Sequence, residues 1–243
     1  MFAGNGYNLV LVARRKERLG KLADGLKKEF GILVKVIPKD LSVPSSPKEI
    51  FDELLEESIH VDVLVNNAGF GAYGPFSETN LKRELDMIQV NLVSLTELTR
   101  LFLPEMLEQG QGRILNVASI VVFAPGPFYA VYGATKAYVL SLSEAIAAEF
   151  EGTGVTVTAL CPGGTKTEFY KIAQREDIVK SSPIMDAKTV AQIGYHGLME
   201  GKRVVIPGTL NKLFKFLSTI VPRKVIVKII KNKMESPKNE KFR

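Results

Sequence analysis

The sequence predicts an α/β fold, a doubly wound and mostly parallel sheet in a single domain. Apolar runs of strand length alternate with segments whose apolar residues recur at helical spacing. The strand runs are apolar throughout rather than at every second position, as in a sheet covered by helices on both faces. Unusual polar or glycine-rich stretches fall at the carboxyl ends of those runs, where sheets of this class hold their ligands.

The elements follow in chain order. NLVLVA (8–13) is the first strand signal, and Leu19, Leu22, Ala23, Leu26 and Phe30 then mark a helix. ILVKVI (32–37) and VDVLVN (61–66) come next, followed by a long helical stripe through Leu81, Leu85, Ile88, Leu92, Leu95, Leu98 and Phe102. RILNVA (113–118), a helical pattern opened by VYGATKAYVL, VTVTAL (155–160) and RVVIP (203–207) complete the series. Strand, helix, strand repeats imply parallel pairing through right-handed crossovers. The polar stretches at the strand ends are Ala13-Arg14-Arg15, KDLS (39–42), NNAG (66–69), Ser119 and PGGTKT (162–167).

A chain of 243 residues suits one such domain, expected over 1–207. Its net charge of +6 is unevenly placed. Residues 202–243 hold 12 Lys/Arg against 2 Asp/Glu, whereas residues 1–201 hold 20 against 24. A mildly acidic body argues against a nucleic-acid-binding face and makes the basic end a separate question. The single cysteine, Cys161, cannot form an intrachain disulfide, and no apolar run reaches the roughly 18 residues of a membrane span. A reducing, cytoplasmic setting is the expectation. His60 and His196 lack neighbours at metal-ligand spacing, so no metal is expected, and both are read with Cys161 as structural.

The sharpest chemical signal is Tyr132 and Lys136, four residues apart and so on one helix face. A phenol titrates near about 10 in water, and a neighbouring ammonium that favours phenolate is expected to lower that value toward acid/base use. Such a pair is common by chance in helices. It gains weight from Ser119 at the end of an earlier strand, and from Asn91, which stands in a long apolar helix where its amide competes with the backbone.

Taken together these residues resemble the short-chain dehydrogenase/reductase family across nearly the whole chain. The matches run in family order: Asp40-Leu41, Asn66-Asn67-Ala68-Gly69, Asn91, Ser119, Tyr132-x-x-x-Lys136, and Pro162-Gly163 with Thr167. NNAGFGAYGPF, GRILNVAS and VTVTALCPG look most like the bacterial and archaeal branch of acyl-chain or steroid-type ketoreductases. The resemblance implies a Rossmann-like oxidoreductase in which Tyr132 is the general acid of carbonyl reduction and the base of the reverse reaction. It implies that Lys136 lowers the tyrosine's pKa and binds the nicotinamide ribose, that Ser119 holds the substrate carbonyl, and that Asn91 positions a water in a proton relay. Asp40 and Leu41 would contact adenine, Asn67, Ala68 and Gly69 would line the adenosine side, and Thr165 and Thr167 would hold the carboxamide. Enzymes of this fold that bind NAD place an acid at the end of the second strand, whereas arginine accommodates a 2′-phosphate. Arg14 and Arg15 stand there with no acid, so NADP(H) is favoured over NAD(H). The family also implies a homodimer or homotetramer acting on a small carbonyl or alcohol substrate.

In that family a first strand and a Gly-x-x-x-Gly-x-Gly turn precede the segment that GYNLVLVARR resembles, and residues 1–243 contain neither. Gly4-Asn5-Gly6 reads instead as the C-cap of a helix. The absent βα unit would be the central one, leaving two neighbouring strands without a partner. Either the sequence starts at an internal Met of a longer protein, or the chain is a non-catalytic binding or scaffold relative that no longer holds a dinucleotide.

At the other end, Leu213, Phe216, Leu217, Ile220 and Val221 form one helical stripe, Pro222 breaks it, and Val225, Ile226, Ile229 and Ile230 resume it. Segment 208–235 is therefore expected to be two amphipathic helices. Their stripe either packs on the body or a partner subunit, or makes a peripheral membrane contact. Residues 236–243 are expected to be disordered. The stretch 168–188 is expected to be a substrate lid, with Phe169, Tyr170, Ile172 and Ile184 facing an apolar substrate.

Overall fold

The computed structural model describes residues 1–173 and 184–235. All six expected strands are present: β1 (Leu9–Ala13), β2 (Val34–Pro38), β3 (Val63–Asn66), β4 (Gly112–Val117), β5 (Val155–Leu160) and β8 (Val204–Val205). Two further strands, β6 (Thr165–Lys166) and β7 (Met185–Asp186), pair with each other and are too short for any periodicity to announce them. The helices are α1 (Lys16–Phe30), α2 (Ser46–Glu56), α3 (Leu81–Ile88), α4 (Leu95–Glu108), α5 (Ala130–Glu149), α6 (Phe169–Ile172), α7 (Ala187–Met199), α8 (Thr209–Ile220) and α9 (Arg223–Met234).

Every strand pair is parallel, as the crossovers require. The sheet is divided, however: β1 pairs with β2, while β3, β4, β5 and β8 form a separate ladder in that order. Among the described residues β1 and β3 each keep one edge without a ladder partner. No described strand lies between them. At the start of the chain, Gly6 takes the left-handed conformation (φ 79°) and caps the short 3₁₀ turn Ala3–Asn5, as its position suggested.

A shared core holds the two ladders together. Ile37 of β2, with Val10 and Val12 of β1 packed beside it, belongs to one apolar cluster with Ile50 and Leu54 of α2, Phe102 and Met106 of α4, and Ile114 of β4. Phe51 and Phe102 meet edge to face within it, ring centroids 5.3 Å apart. On other faces, α1 packs on β1 and β2 through Ala23, while α7 packs Val190 and Leu198 against Leu115, Leu160 and Val205. The approach of α7 needs two glycines, since a Cβ on Gly194 would lie 2.8 Å from Leu160 and one on Gly197 only 2.3 Å from Val205. The sheet is covered by helices, and its longer strands are mostly apolar, with Lys35, Asn66 and Asn116 among the exceptions.

One expectation is corrected. The stripe from Leu81 to Phe102 was read as a single apolar face, but Leu81 and Leu85 are exposed, and Glu84, Met87 and Asn91 point inward instead. The cause is one π-helical turn, Gln89–Ser94, between α3 and α4. It rotates the face of α3 relative to that of α4, whose Leu95, Leu98 and Phe102 are buried as expected. Glu84 is accommodated by the Thr79 hydroxyl, 2.7 Å from its carboxylate.

The two C-terminal helices form as expected, with Pro222 between them at the N-cap of α9. Residues 236–243, the expected tail, lie outside the described residues. Because Phe102 ties the two ladders to one core, Phe102→Ala is expected to cost about 3–5 kcal/mol, a large part of the roughly 5–15 kcal/mol typical of a domain. Leu81→Ala on the exposed side of α3 should change stability by about 0.5 kcal/mol or less. Urea unfolding followed by circular dichroism measures both.

Candidate active site

The site lies at the carboxyl ends of β3, β4 and β5. Ser119 follows β4 by two residues and caps the 3₁₀ turn Ile120–Phe123, where its hydroxyl accepts a hydrogen bond from the Val121 amide at 3.4 Å. Tyr132 and Lys136 lie in the first two turns of α5 on the face turned toward the sheet, and both are buried. Ser119 faces the Tyr132 hydroxyl closely enough to favour its ionised form, though burial outweighs that effect. The structure thus brings together the three groups that the sequence singled out.

Asn66, already marked by its place in NNAG, and three residues that the sequence reading passed over, Thr99, Asn116 and Ser143, hold this arrangement. The Asn66 amide at the end of β3 donates to Asn116 Oδ1 of β4 at 2.9 Å and to Thr99 Oγ1 at 3.0 Å. Asn116 in turn donates to Ser143 Oγ of α5 at 2.9 Å. This buried chain runs from β3 through β4 to the helix that carries Tyr132, and its members are hydrogen-bonded as buried polar groups require. The signal was present: Asn116 interrupts the otherwise apolar RILNVA, which packing alone would not favour.

Asn91 is also fully buried, in the π-helical turn, and is not the solvated helix position that propensity suggests. Its carboxamide accepts from the Phe70 amide at 3.1 Å, and donates to the Phe70 carbonyl at 3.0 Å and to Thr135 Oγ1 at 3.2 Å. It clamps the strand-end loop after NNAG onto α5. Both ends of the side chain take part in that clamp.

The electrostatics correct a second expectation. Burial pushes the Tyr132 phenol up to about 12, against a lowering by the hydrogen bond from Ser119 and with a smaller rise from Tyr170. The Lys136 amine is pushed down to about 8, again by burial. Lys136 Nζ donates to the Val117 carbonyl at 2.7 Å. The lysine was expected to lower the phenol's pKa; in this structure it is not among the groups that shift it, and desolvation raises the value instead.

The expected cofactor residues are spread around this centre. Asn67, Ala68 and Gly69 are exposed beyond β3. Asp40 accepts from the Ser42 amide at 3.0 Å and its hydroxyl at 2.9 Å, and Arg14 stands 3.7 Å away. Burial raises the Asp40 carboxyl, but the Ser42 bonds and Arg14 bring it below its ordinary value on balance. Leu41 turns its side chain to the main core and accepts from Ser94 Oγ at 2.7 Å through its carbonyl. Thr165 bonds the Gly163 carbonyl at 3.0 Å, and Thr167 accepts from the Phe169 amide at 3.2 Å, which starts α6.

The start of the expected lid closes over the site. Arg15 and Arg18 hold the two oxygens of Glu168 at 2.8 and 2.9 Å, and Phe169 follows with its ring centroid 5.3 Å from that of Tyr132. These arginines hold the Glu168 carboxyl down at about 2. Of the other expected lid residues, Tyr170 and Ile184 stand against Gly164, and Ile172 is exposed. Residues 174–183 of that stretch lie outside the described residues. Around the phenol, Met87, Tyr129, Phe70, Tyr73, Phe169 and Met234 make an apolar rim.

The residues present fit the ribose and nicotinamide end of a dinucleotide. A Cβ on Gly69 would meet Asn91 Oδ1 at 3.0 Å and Lys136 Nζ at 3.3 Å, so glycine is what leaves the lysine open toward the β3 end. Lys136, Thr165 and Thr167 would hold that end, and Asn67, Ala68 and Gly69 would line the adenosine side. The pyrophosphate end has no counterpart here, since residues 1–243 contain no Gly-x-x-x-Gly-x-Gly turn.

Comparison with known proteins agrees with this geometry. The short chain dehydrogenase family model matches residues 1–177. The very-long-chain 3-oxoacyl-CoA reductase of Anas platyrhynchos is 30% identical over 234 residues, covering 94% of this chain and 72% of its own length. A short-chain dehydrogenase from Sphingobium yanoikuyae, solved in complex with NADPH, is 32% identical with a TM-score of 0.80, over 91% of this chain and 89% of its own. The bulky-bulky ketone specific alcohol dehydrogenase from Comamonas testosteroni is 29% identical with a TM-score of 0.77, over 98% and 91% of the two chains. This chain belongs to the short-chain dehydrogenase family. It is an oxidoreductase of the NAD(P)-dependent class.

The buried amine gives the site a stability signature. Between about 8 and its ordinary 10.5, Lys136 is neutral in the native protein and charged in the unfolded chain. The unfolded state then binds more protons, so this group's contribution to stability rises with pH across the window. The stability difference between wild type and Lys136→Met is expected to change steadily over that range in urea titrations at successive pH values. A difference independent of pH would show that the amine does not titrate there.

Proposed function

We propose that the protein reduces a ketone, or in reverse oxidises the secondary alcohol, on an apolar or acyl-type substrate, with NADP(H) favoured over NAD(H). The observation that carries this reading is the buried Tyr132 phenol on the same face of α5 as Lys136, beside Ser119 at the end of β4 and among apolar side chains. A phenol held in the acid form is suited to protonating a carbonyl oxygen as negative charge develops there. Ser119 would hold that oxygen beside the phenol. Lys136, one turn on, would carry positive charge below about pH 8 and stabilise the phenolate left after proton transfer. The bound nicotinamide would supply or accept the hydride. Asn91 and the Asn66–Asn116–Ser143 chain keep these groups in register without touching the substrate.

The substrate class is supported by the apolar character of the partly buried side chains beside the phenol, Phe70, Tyr73 and Phe169. The names of the relatives, a very-long-chain 3-oxoacyl-CoA reductase and a bulky-ketone alcohol dehydrogenase, point the same way. The preference for NADP(H) is supported by Arg14 and Arg15 at the end of β1, and by the NADPH bound to the Sphingobium relative. Arg15 is held by Glu168 at 2.8 Å and Arg14 more loosely by Asp40 at 3.7 Å, so Arg14 is the freer of the two to turn to a 2′-phosphate. A homo-oligomer is supported by a groove of about 590 Å³ on the side of α5 away from the phenol, lined by Phe76, Ile88, Leu92, Val131, Ala134 and Tyr138.

Two experiments test the reading. Tyr132→Phe removes the proton donor and little volume. In a form of the protein extended to include a Gly-rich turn, it is expected to lower turnover of a bulky ketone by at least about a hundredfold while NADPH affinity holds, as read by nicotinamide absorbance and fluorescence; unchanged turnover would reject the assigned acid. Arg14→Ala is expected to raise the Kd for NADPH by roughly tenfold, a charge-assisted contact's worth, and to leave NADH nearly unaffected. Equal losses for both would remove the phosphate argument.

A further inference from the structure

Helix α8 is turned inside out. Its half-buried inner face carries Asn211, Phe214 and Ser218, whereas Leu210, Leu213, Phe216, Leu217 and Ile220 lie in one arc on the opposite side. Those five side chains are 44–66% exposed. The expectation that this stripe packs on the body is thereby corrected within this chain. The helix is nevertheless anchored: Asn211 fills the space beside Gly163 and bonds the Pro207 carbonyl at 2.6 Å, and Lys215 stands over the Phe123 ring at 5.8 Å. The outward arc is therefore held in place rather than left by a loose end. A contiguous apolar surface of this kind on a folded protein marks a contact.

Helix α9 packs by Ile226, with Val227, Ile230 and Met234 half-buried, and shows its remaining faces to solvent. Those faces carry Arg223, Lys224, Lys228, Lys231 and Lys233, with Val225 and Ile229 exposed between them. Together, residues 209–234 hold seven Lys/Arg and no Asp/Glu, on a chain whose first 201 residues are mildly acidic. An apolar arc beside a cationic face matches an interface that is apolar below and anionic above.

We propose that α8 and α9 form a docking surface for an anionic lipid membrane, with the α8 arc entering the headgroup and acyl boundary and the α9 cations meeting the lipid phosphates and carboxylates. Among the described residues no helix is long and apolar enough to cross a membrane, so the contact is peripheral. The charge selects this occupant over a second copy of the chain, because two such faces brought together would repel. Docking also sets the orientation of the active site. The last turn of α9 meets the rim of the phenol, where Tyr73 donates its hydroxyl hydrogen to the Met234 carbonyl and Met234 packs with the Tyr132 cluster.

Sedimentation with vesicles tests the proposal. The purified protein is mixed with phosphatidylcholine vesicles, or with vesicles that also contain phosphatidylserine, at low and high salt. Binding to the phosphatidylserine vesicles is expected to be tighter by roughly tenfold or more and to weaken with salt. The outward triple variant Leu213→Glu, Phe216→Glu, Ile220→Glu should keep its circular dichroism spectrum and lose vesicle binding. Lys224→Gln with Lys228→Gln and Lys231→Gln should lower binding to that seen with phosphatidylcholine alone. Absence of binding, equal binding to both vesicle types, or wild-type binding by both variants overturns the proposal. So does light scattering that shows a dimer abolished by the glutamate triple while vesicles bind nothing, which assigns the face to a second copy.

Discussion

Desolvation of Tyr132 and Lys136 is the constraint on which the rest of the site depends. A phenol and an amine share one buried face of α5, and removal from water acts on them in opposite senses. It holds the phenol in its neutral acid form and loosens the amine's hold on its proton. Neither group could stay there without compensation. The phenol has the Ser119 hydroxyl and the amine has the Val117 carbonyl, both supplied by the carboxyl end of β4. The chemistry is therefore a property of where one strand stops relative to one helix.

That relation is fixed by polar contacts in an otherwise apolar interior. Asn66, Asn116 and Ser143 tie two strands to α5, and Asn91 ties the loop after β3 to the same helix. Directional bonds of this kind specify register in a way that interchangeable aliphatic contacts cannot, because a slip of one residue leaves several buried groups without partners. The apolar core does a different task. Ile37, Phe102 and Ile114 hold together a sheet whose two ladders share no hydrogen bonds among the described residues.

The strands and their parallel order were legible because packing between helices makes most of them largely apolar runs and buries β4 and β5 above all. Ser119, Tyr132 and Lys136 were legible because helix and strand periodicity place them at one end of the sheet. Other features were hidden for physical reasons. The π-helical turn at Gln89–Ser94 leaves no mark in apolar spacing, so Leu81 and Leu85 were read as core and Glu84 and Met87 were not. The amide clamp of Asn91 depends on Phe70, 21 residues away, which no local pattern connects to it. The direction of the phenol's shift is set by total burial, a sum over the whole fold, whereas spacing reveals only the neighbouring charge. The outward stripe of α8 is the converse case, since its amphipathicity was plain in sequence but its facing is decided by Gly163 and Pro207.

The most direct measurement is an ultraviolet pH titration of tyrosine ionisation, comparing the wild-type protein with Tyr132→Phe. If burial governs the site, the difference between them shows no phenolate from Tyr132 at or below the ordinary value of 10.0. A phenolate band lost on substitution and already half developed near neutral pH would contradict the account, and would mean that the amine, rather than the dry surroundings, sets the state of the phenol.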